Sequence, residues 1–461
     1  MKQRAIALID GEHYPPVVVQ ALKEAGERFA FQAALFLGGS EKITARDFAE
    51  QAAAVYGLPV VFAQDWAAGL NEAIDRYRPE AIVDLSDEPV LGYEERFRLI
   101  SHSLARNVSY VGSDFQFKPV TSSRLCAVPS LSIVGTAKRV GKTAVSGYAA
   151  RVLSETVGRS GAGPGVVVVA MGRGGPAEPE VIDGRDQGLG VSQLLAWSRR
   201  GRHAASDHFE DAVLSRVVTV GCRRCGGGMA GEPFMSNVAA GARRANELGA
   251  TLVIFEGSGA AIPPVGTDAR LLVAGAHQPE RYVTGYLGTY RVLTSDAVVL
   301  TMAEPPAASP AKVGRLIKGI GQIKAGLLVV PTVFRPQPSA NVAGRRVACF
   351  TTAPREQHAH LRRHLEEVWG CRVEFFSGSL SNRAALRAEW ARPEMKRVDL
   401  VLTEIKAAAI DVVAEEASQR GLEVVFLDNV PEEVAPAEKG QLAEVVQELA
   451  RQAQERFSKR T

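Results

Sequence analysis

Ser132-Ile-Val-Gly-Thr-Ala-Lys-Arg-Val-Gly-Lys-Thr143 is the stretch on which the fold turns. An apolar run, Ser130–Val134, leads into a glycine-bearing loop, and Gly141-Lys142-Thr143 opens a helical pattern that continues to Thr156. A strand, such a loop and a helix N-terminus together cradle an anion. The loop's N–H groups point inward, and the aligned peptides of the helix add a partial positive charge. Gly135, Thr136, Arg139, Val140, Gly141, Lys142 and Thr143 are therefore read as a phosphate-holding loop.

The ligands expected there are ATP and Mg²⁺. Lys142 can reach the β and γ phosphates, and the Thr143 hydroxyl can ligate the metal. Five residues, Thr136 to Val140, separate Gly135 from Gly141, where the common pattern has four. The resulting Gly-Thr-x-x-x-Val-Gly-Lys-Thr resembles dethiobiotin synthetase and its relatives, in the wider class of the nitrogenase iron protein and the MinD-like ATPases. MinD-like loops carry a second lysine near their start. Ala137 holds that place here and Lys138 lies one position on, which argues against a lysine acting in trans.

Working outward, Thr251-Leu-Val-Ile-Phe-Glu-Gly-Ser-Gly259 is an apolar strand ending in an acid and glycines. A carboxylate at a strand end beside such a loop can hold Mg²⁺, directly or through water, so Glu256 joins Thr143 as a metal candidate. Asp183 and Asp186 are weaker ones, since a solvated loop explains them as well. Val169-Ala-Met-Gly-Arg-Gly-Gly-Pro176 follows a valine-rich run suited to a central strand. Ligands of open α/β sheets bind beyond the C-terminal ends of strands, which aims Arg173 at the same face. An arginine there can clamp phosphate and neutralise transferred charge. Arg173, Lys142 and Lys138 are the candidate catalytic cations.

Gly221-Cys-Arg-Arg-Cys-Gly-Gly-Gly228 follows an apparent strand, Val217–Val220, and reads as a loop. Its Cys222 and Cys225 lack a second pair for a zinc site and lack a thioredoxin-like context. An anion loop carrying Arg223 and Arg224 is the stronger alternative to these. Ile9-Asp-Gly-Glu-His-Tyr-Pro15 ends the first strand of the chain with Asp10, Glu12 and His13, and His13 is the group best suited to bind phosphate near neutral pH.

The rest of the 461 residues fits an α/β protein. Short apolar runs alternate with helical patterns, which argues for parallel sheets covered on both faces. The expected architecture is a P-loop core with a mostly parallel sheet (126–310), flanked by an N-terminal doubly wound α/β domain (1–125) and a C-terminal α/β domain (311–461). The linker Glu304–Pro310 is rich in proline, and Gly440–Arg456 reads as an amphipathic helix packed on a surface. A net charge of +3 carries no basic stripe for nucleic acid. No run of 18 apolar residues exists to span a membrane. Five cysteines, an odd number, disfavour a disulfide framework and suit a reducing cytoplasm.

The opening Ala-Leu-Ile-Asp-Gly-Glu-His-Tyr-x-Pro, the loop Gly-Thr-x-Lys-Arg-Val-Gly-Lys-Thr-Ala and Met-Gly-Arg-Gly-Gly-Pro together resemble the cyclic 2,3-diphosphoglycerate synthetases. The resemblance implies an ATP-dependent ligase that closes 2,3-bisphosphoglycerate through an intramolecular phosphoanhydride, releasing ADP and phosphate. For such a substrate the cations on expected loops and the imidazole, Arg173, Arg223, Arg224 and His13, are the candidate substrate-binding residues, and the likeness to dimeric P-loop proteins suggests a homodimer. Two competitors share parts of the pattern: a carboxylate-activating ligase of the dethiobiotin synthetase type, and a MinD-like regulatory ATPase.

Overall fold

The computed structural model describes the chain except residues 40, 43–44, 159–162, 203 and 461. The expected connector between 157 and 165 and the first residue of the expected helix Thr44–Tyr56 lie partly outside the described residues. Contacts divide the chain into two compact units. One comprises residues 1–120, 279–294 and 319–325; the other comprises 121–278, 295–318 and 326–461.

The N-terminal unit carries β1 (Gln3–Ile9), β2 (Phe29–Phe36), β3 (Val60–Phe62), β4 (Ala81–Asp84), β5 (Ser109–Val111) and β6 (Gln116–Phe117), in the order β3-β2-β1-β4-β5-β6. All pairings are parallel except the terminal β5–β6 hairpin. Ala5 to Ile9 are wholly buried, as a strand covered on both faces requires. The helix Trp66–Tyr77 starts where the Asp65 side chain accepts the Ala67 N–H. Chain order reverses between β1 and β4, which makes their C-terminal ends a topological switch point. Asp10 follows β1 and Asp84 ends β4, both buried there.

The second unit is built on one continuous sheet, of thirteen strands among the described residues. Its strands are β7 (Ser130–Gly135), β8 (Val166–Gly172), β9 (Glu180–Asp183), β10 (Val218–Cys225), β11 (Met235–Ser236), β12 (Leu252–Glu256), β13 (Ala269–Gly275), β14 (Ala297–Thr301), β15 (Leu328–Pro338), β16 (Arg346–Phe350), β17 (Arg372–Ser377), β18 (Leu400–Thr403) and β19 (Glu423–Glu433). The order is β11-β10-β8-β12-β7-β13-β14-β15-β19-β18-β16-β17, with β9 pairing β10. Pairing is parallel except for β9 and β11 on β10 and for β15 on β19. The fold is thus the expected mostly parallel α/β architecture around a P-loop.

Two expectations need correction. Val218–Cys225 is one strand, so Arg223 and Arg224 stand on β10 rather than on a loop. Its antiparallel neighbours β9 and β11 supply ladder bonds past Val220, and no periodicity within the segment announces them. Ala269–Gly275, not read as a strand from the sequence, is β13 and flanks β7 directly.

The sheet does not end at the proline-rich segment 304–310. β15, which follows it, pairs with β14 on one side and β19 on the other. The tail helix Gln441–Ser458 returns to the P-loop sheet. Leu442, Val445, Val446, Leu449 and Ala453 are buried in one cluster with Leu131, Ile133, Val145, Leu271 and Val299. Among the described residues no helix is long and apolar enough to cross a membrane.

Candidate active site

β7 is buried along its whole length and delivers Gly135 to the C-terminal edge of the sheet. The loop that follows is tied down from both sides. Thr136 donates its N–H to Val273 O (3.1 Å) and its hydroxyl to Gln278 Oε1 (2.5 Å). Thr301 Oγ1 donates to Val140 O at 2.8 Å. Gly141 has φ +85°, and a Cβ there would overlap the ring of Phe334. Gly135 is equally constrained: a Cβ would sit 2.7 Å from Cδ of Lys142. The lysine stem lies folded over the loop, and its Nζ donates to Ala137 O at 2.9 Å. Lys138 and Arg139 stand exposed on the loop's crest, and Arg139 also takes a positive φ of 63°.

Thr143 Oγ1 donates to Glu256 Oε1 at 2.7 Å, which brings the two metal candidates together. Glu256 is 1% exposed, and its Oε2 has no hydrogen-bond partner. Burial, with Asp207 nearby, pushes its carboxyl up to about 7. Burial likewise lowers the Lys142 ammonium to about 8, with Arg173 and Arg224 pushing the same way and Glu256 and Asp207 opposing.

Arg173 and Arg224 converge. Measured from a Cβ built on Gly259, a guanidinium nitrogen of Arg173 lies at 3.0 Å and one of Arg224 at 3.2 Å. Arg224 is anchored by Ser258 O (2.8 Å) and Gly226 O (2.6 Å), while its Nε is buried without a partner. Burial and then Arg173 lower its guanidinium below the ordinary value. Cations crowded in this way repel one another until an anion enters, so the arrangement is suited to polyphosphate.

Arg223 faces the other way. Its Nε donates to Pro176 O at 2.7 Å, and its N–H donates to Asn237 Oδ1 at 2.7 Å. It braces the Met171–Pro176 loop, whereas its neighbour reaches the Lys142 surroundings. Asp183 forms an exposed pair with Arg185, and Asp186 caps the turn at Gly188. Cys222 is buried, and that burial pushes its thiol up to about 12, while Cys225 is exposed; both are free.

His13 lies in the N-terminal unit at the switch point. Asp10 Oδ1 receives its Nδ1 at 2.8 Å and the N–H groups of Glu12 and His13, while Asp10 Oδ2 receives the N–H of Asp87. The carboxylate thus fixes the ring, and Asp84 does comparable work for Ser86, Arg96 and Tyr110.

Sequence reasoning missed the acidic helix Asp207–Ser215. Glu210 and Asp211 are 5% and 1% exposed, and both oxygens of Asp211 lack a donor. Burial, and then the neighbouring Glu256, hold the Asp211 carboxyl well above the usual range. A buried carboxyl beside another holds its proton more tightly, because two negative charges at close range in a dry interior repel. The signal was present: Asp207, Glu210 and Asp211 recur at helical spacing in one short apolar segment.

A Mg²⁺ ion fits this donor set. Thr143 and Glu256 would hold it, and the buried Glu256 Oε2, without a hydrogen-bond partner, offers the free oxygen such an ion needs. Among the described residues no group of three or more His, Cys, Asp or Glu is placed to enclose a metal, and Mg²⁺ usually keeps phosphate and water in its shell.

Comparison with known proteins gives a uniform answer. Family models of cyclic 2,3-diphosphoglycerate synthetase match the P-loop domain (130–333), the N-terminal domain (4–118) and the C-terminal domain (338–430). The curated cyclic 2,3-diphosphoglycerate synthetase of Rubrobacter xylanophilus is 52% identical over 93% of this chain and 94% of its own length. That of Methanothermus fervidus is 43% identical over 93% of each. Among solved structures, hydrogenase maturation factor HypB from Archaeoglobus fulgidus covers 45% of this chain and 81% of its own, with 12% identity and a TM-score of 0.29, too slight a likeness to bear on function. With three domain models along its length and relatives of this identity, the chain belongs to the cyclic 2,3-diphosphoglycerate synthetase family.

Proposed function

We propose that this enzyme uses ATP to close 2,3-bisphosphoglycerate into cyclic 2,3-diphosphoglycerate. An oxygen of one substrate phosphate bonds to the γ phosphorus as the β–γ bridge breaks, releasing ADP. An oxygen of the other substrate phosphate then attacks the activated phosphorus. The new anhydride closes the ring, and inorganic phosphate leaves. Bringing two anions together on one small molecule is the main obstacle, so positioning and neutralisation dominate the catalysis.

The observation that carries this reading is the meeting of Lys142, Arg173 and Arg224 around the end of β12, on a chain matched by the family over its length. Lys142 and the loop N–H groups hold the β and γ phosphates. Thr143 and Glu256 would hold Mg²⁺, which would supply neutralisation of phosphate oxygens. Arg173 and Lys138 offset charge on the transferred group. Arg224 grips substrate, Arg223 supports it through the Met171–Pro176 loop, and His13 is the N-terminal unit's candidate for a substrate phosphate. A homodimer, a cytoplasmic location and no nucleic-acid partner belong to the same reading.

The test is incubation with ATP, Mg²⁺ and 2,3-bisphosphoglycerate, followed by ³¹P NMR. Substrate-dependent ADP release and a new phosphoanhydride resonance are expected, both abolished by chelating the metal. ATP hydrolysis that ignores the bisphosphate would overturn the substrate assignment while leaving the nucleotide site standing.

A further inference from the structure

The strands after β15 bring their own charged group toward the acidic helix. β18 ends at Thr403, and Glu404 and Lys406 follow it. Glu404 is 5% exposed and receives Thr351 Oγ1 (2.9 Å), Thr352 N (3.0 Å), Thr352 Oγ1 (2.8 Å) and Asn429 Nδ2 (2.9 Å). Burial alone would raise its carboxyl, but Lys406 and these donors hold it below the usual range. It is a fixed negative charge. Lys406 Nζ lies 3.0 Å from Glu210 Oε1 on the acidic helix.

Lys406 does not close into a sealed structural ion pair. Its side chain keeps 30% of its surface in solvent, while Glu210 keeps 6%. An ammonium has three donors, and among the described residues Glu210 is the one ion-pair partner in reach. Glu210 Oε2 is buried with no partner, so the pair is unfinished on the acid's side as well. The same helix opens at Asp207, whose Oδ2 would lie 3.9 Å from a Cβ on Gly172, so the helix that carries Glu210 begins beside the loop that carries Arg173. A part-exposed cation paired with Glu210, on a helix that begins beside the Arg173 loop, is a place for a further phosphate.

We propose that Lys406 is a binding residue for the phosphorylated acceptor, taking one phosphate of 2,3-bisphosphoglycerate in exchange for Glu210. The inference rests on the function proposed above and extends it. The C-terminal strands then contribute a side chain to the active site and do more than cover a sheet. Glu404, fixed by its four donors, adds a negative charge to the lysine's surroundings.

Two measurements test it, both on the full chain. The first is steady-state kinetics of Lys406→Met and Lys406→Arg with ATP and the bisphosphate varied separately. The methionine variant should raise KM for the bisphosphate by about 10- to 100-fold, the range for losing a hydrogen bond to a charged group. KM for ATP should stay within about twofold of wild type, and arginine should recover part of the loss. An unchanged KM for the bisphosphate, or equal damage to both substrates, overturns the proposal. The second needs no variant: amine acylation of the wild-type protein, with Lys406 followed by peptide mass spectrometry. 2,3-Bisphosphoglycerate without nucleotide should protect Lys406; protection by ADP alone, or none by the bisphosphate, counts against it. If the wild type forms no cyclic product, the proposed function fails instead, so the two failures are distinguishable.

Discussion

Lys142 and Glu256 are the residues whose surroundings most shape the chemistry. The lysine is 7% exposed and the glutamate 1%, yet the proposed role of each needs its charge. Replacing Lys142 with Ala should abolish ATP turnover, a loss of about 10³-fold or more, with the fold intact by circular dichroism; retained turnover would remove the loop from the mechanism. Gly141 is a second test at this scale. Gly141→Ala meets both a positive φ and the Phe334 ring, whereas Gly344→Ala meets a positive φ in open space. The first should lose binding of a fluorescent ATP analogue; the second should keep it and destabilise by about 1–2 kcal/mol.

The buried acids also set a pH dependence. Burial raises Glu256 from 4.5 to about 7 and Glu210 from 4.5 to about 8. Between those limits the native state binds more protons than the unfolded chain, so stability falls as pH rises. The contribution is complete below about pH 4.5 and lost once pH passes through 7 to 8. The melting temperature of the ligand-free protein should decline across that window, and Glu210→Gln should flatten the decline. An unaltered slope in that variant would show that Glu210 is not the titrating group.

At the scale of elements, β10 explains why adjacent arginines differ. Successive side chains of a strand point to opposite faces. Arg224 therefore joins Arg173 at Gly259, while Arg223 braces Pro176. Arg224→Ala should lower kcat/KM by about 10²- to 10³-fold. Arg223→Ala should cost about tenfold or less, the loss of one tether. Comparable losses would mean that both side chains face substrate. The two-residue period was hidden from sequence reading because Gly-Cys-Arg-Arg-Cys-Gly looks like a turn by composition. Its strand character comes from β8, β9 and β11, which lie elsewhere in the chain. The segment Ala269–Gly275 escaped for a related reason: it is a short apolar run, whose role as the neighbour of β7 is set by pairing.

For the whole molecule, the tail matters to the beginning of the second unit. Leu449 is 1% exposed in the cluster that also contains Leu131 and Ile133 of the phosphate-loop strand. Leu449→Ala should destabilise by about 2–5 kcal/mol, read as a lower denaturant midpoint. A change confined to a tail helix lying on the surface would be far smaller. Arg456 adds a tether, donating to Asp268 O at 2.8 Å and pairing with Asp296 at 2.9 Å. The amphipathic pattern of this helix was legible from residue 440 onward, but the face it would cover was not.

Local order is what the amino-acid sequence by itself determined. The strand–loop–helix around Gly135–Thr143, Glu256 closing an apolar run, and Arg173 between glycines all lie within a few residues of the features that define them. Backbone conformation and strand ends depend on such short stretches, which makes them readable. Tertiary structure alone decided which acids surround the loop, which of two adjacent arginines faces it, and that Lys406 and the tail helix reach the same unit. Those facts depend on pairing and burial between segments up to hundreds of residues apart, and burial is what shifts the charges of Glu256, Glu210 and Lys142.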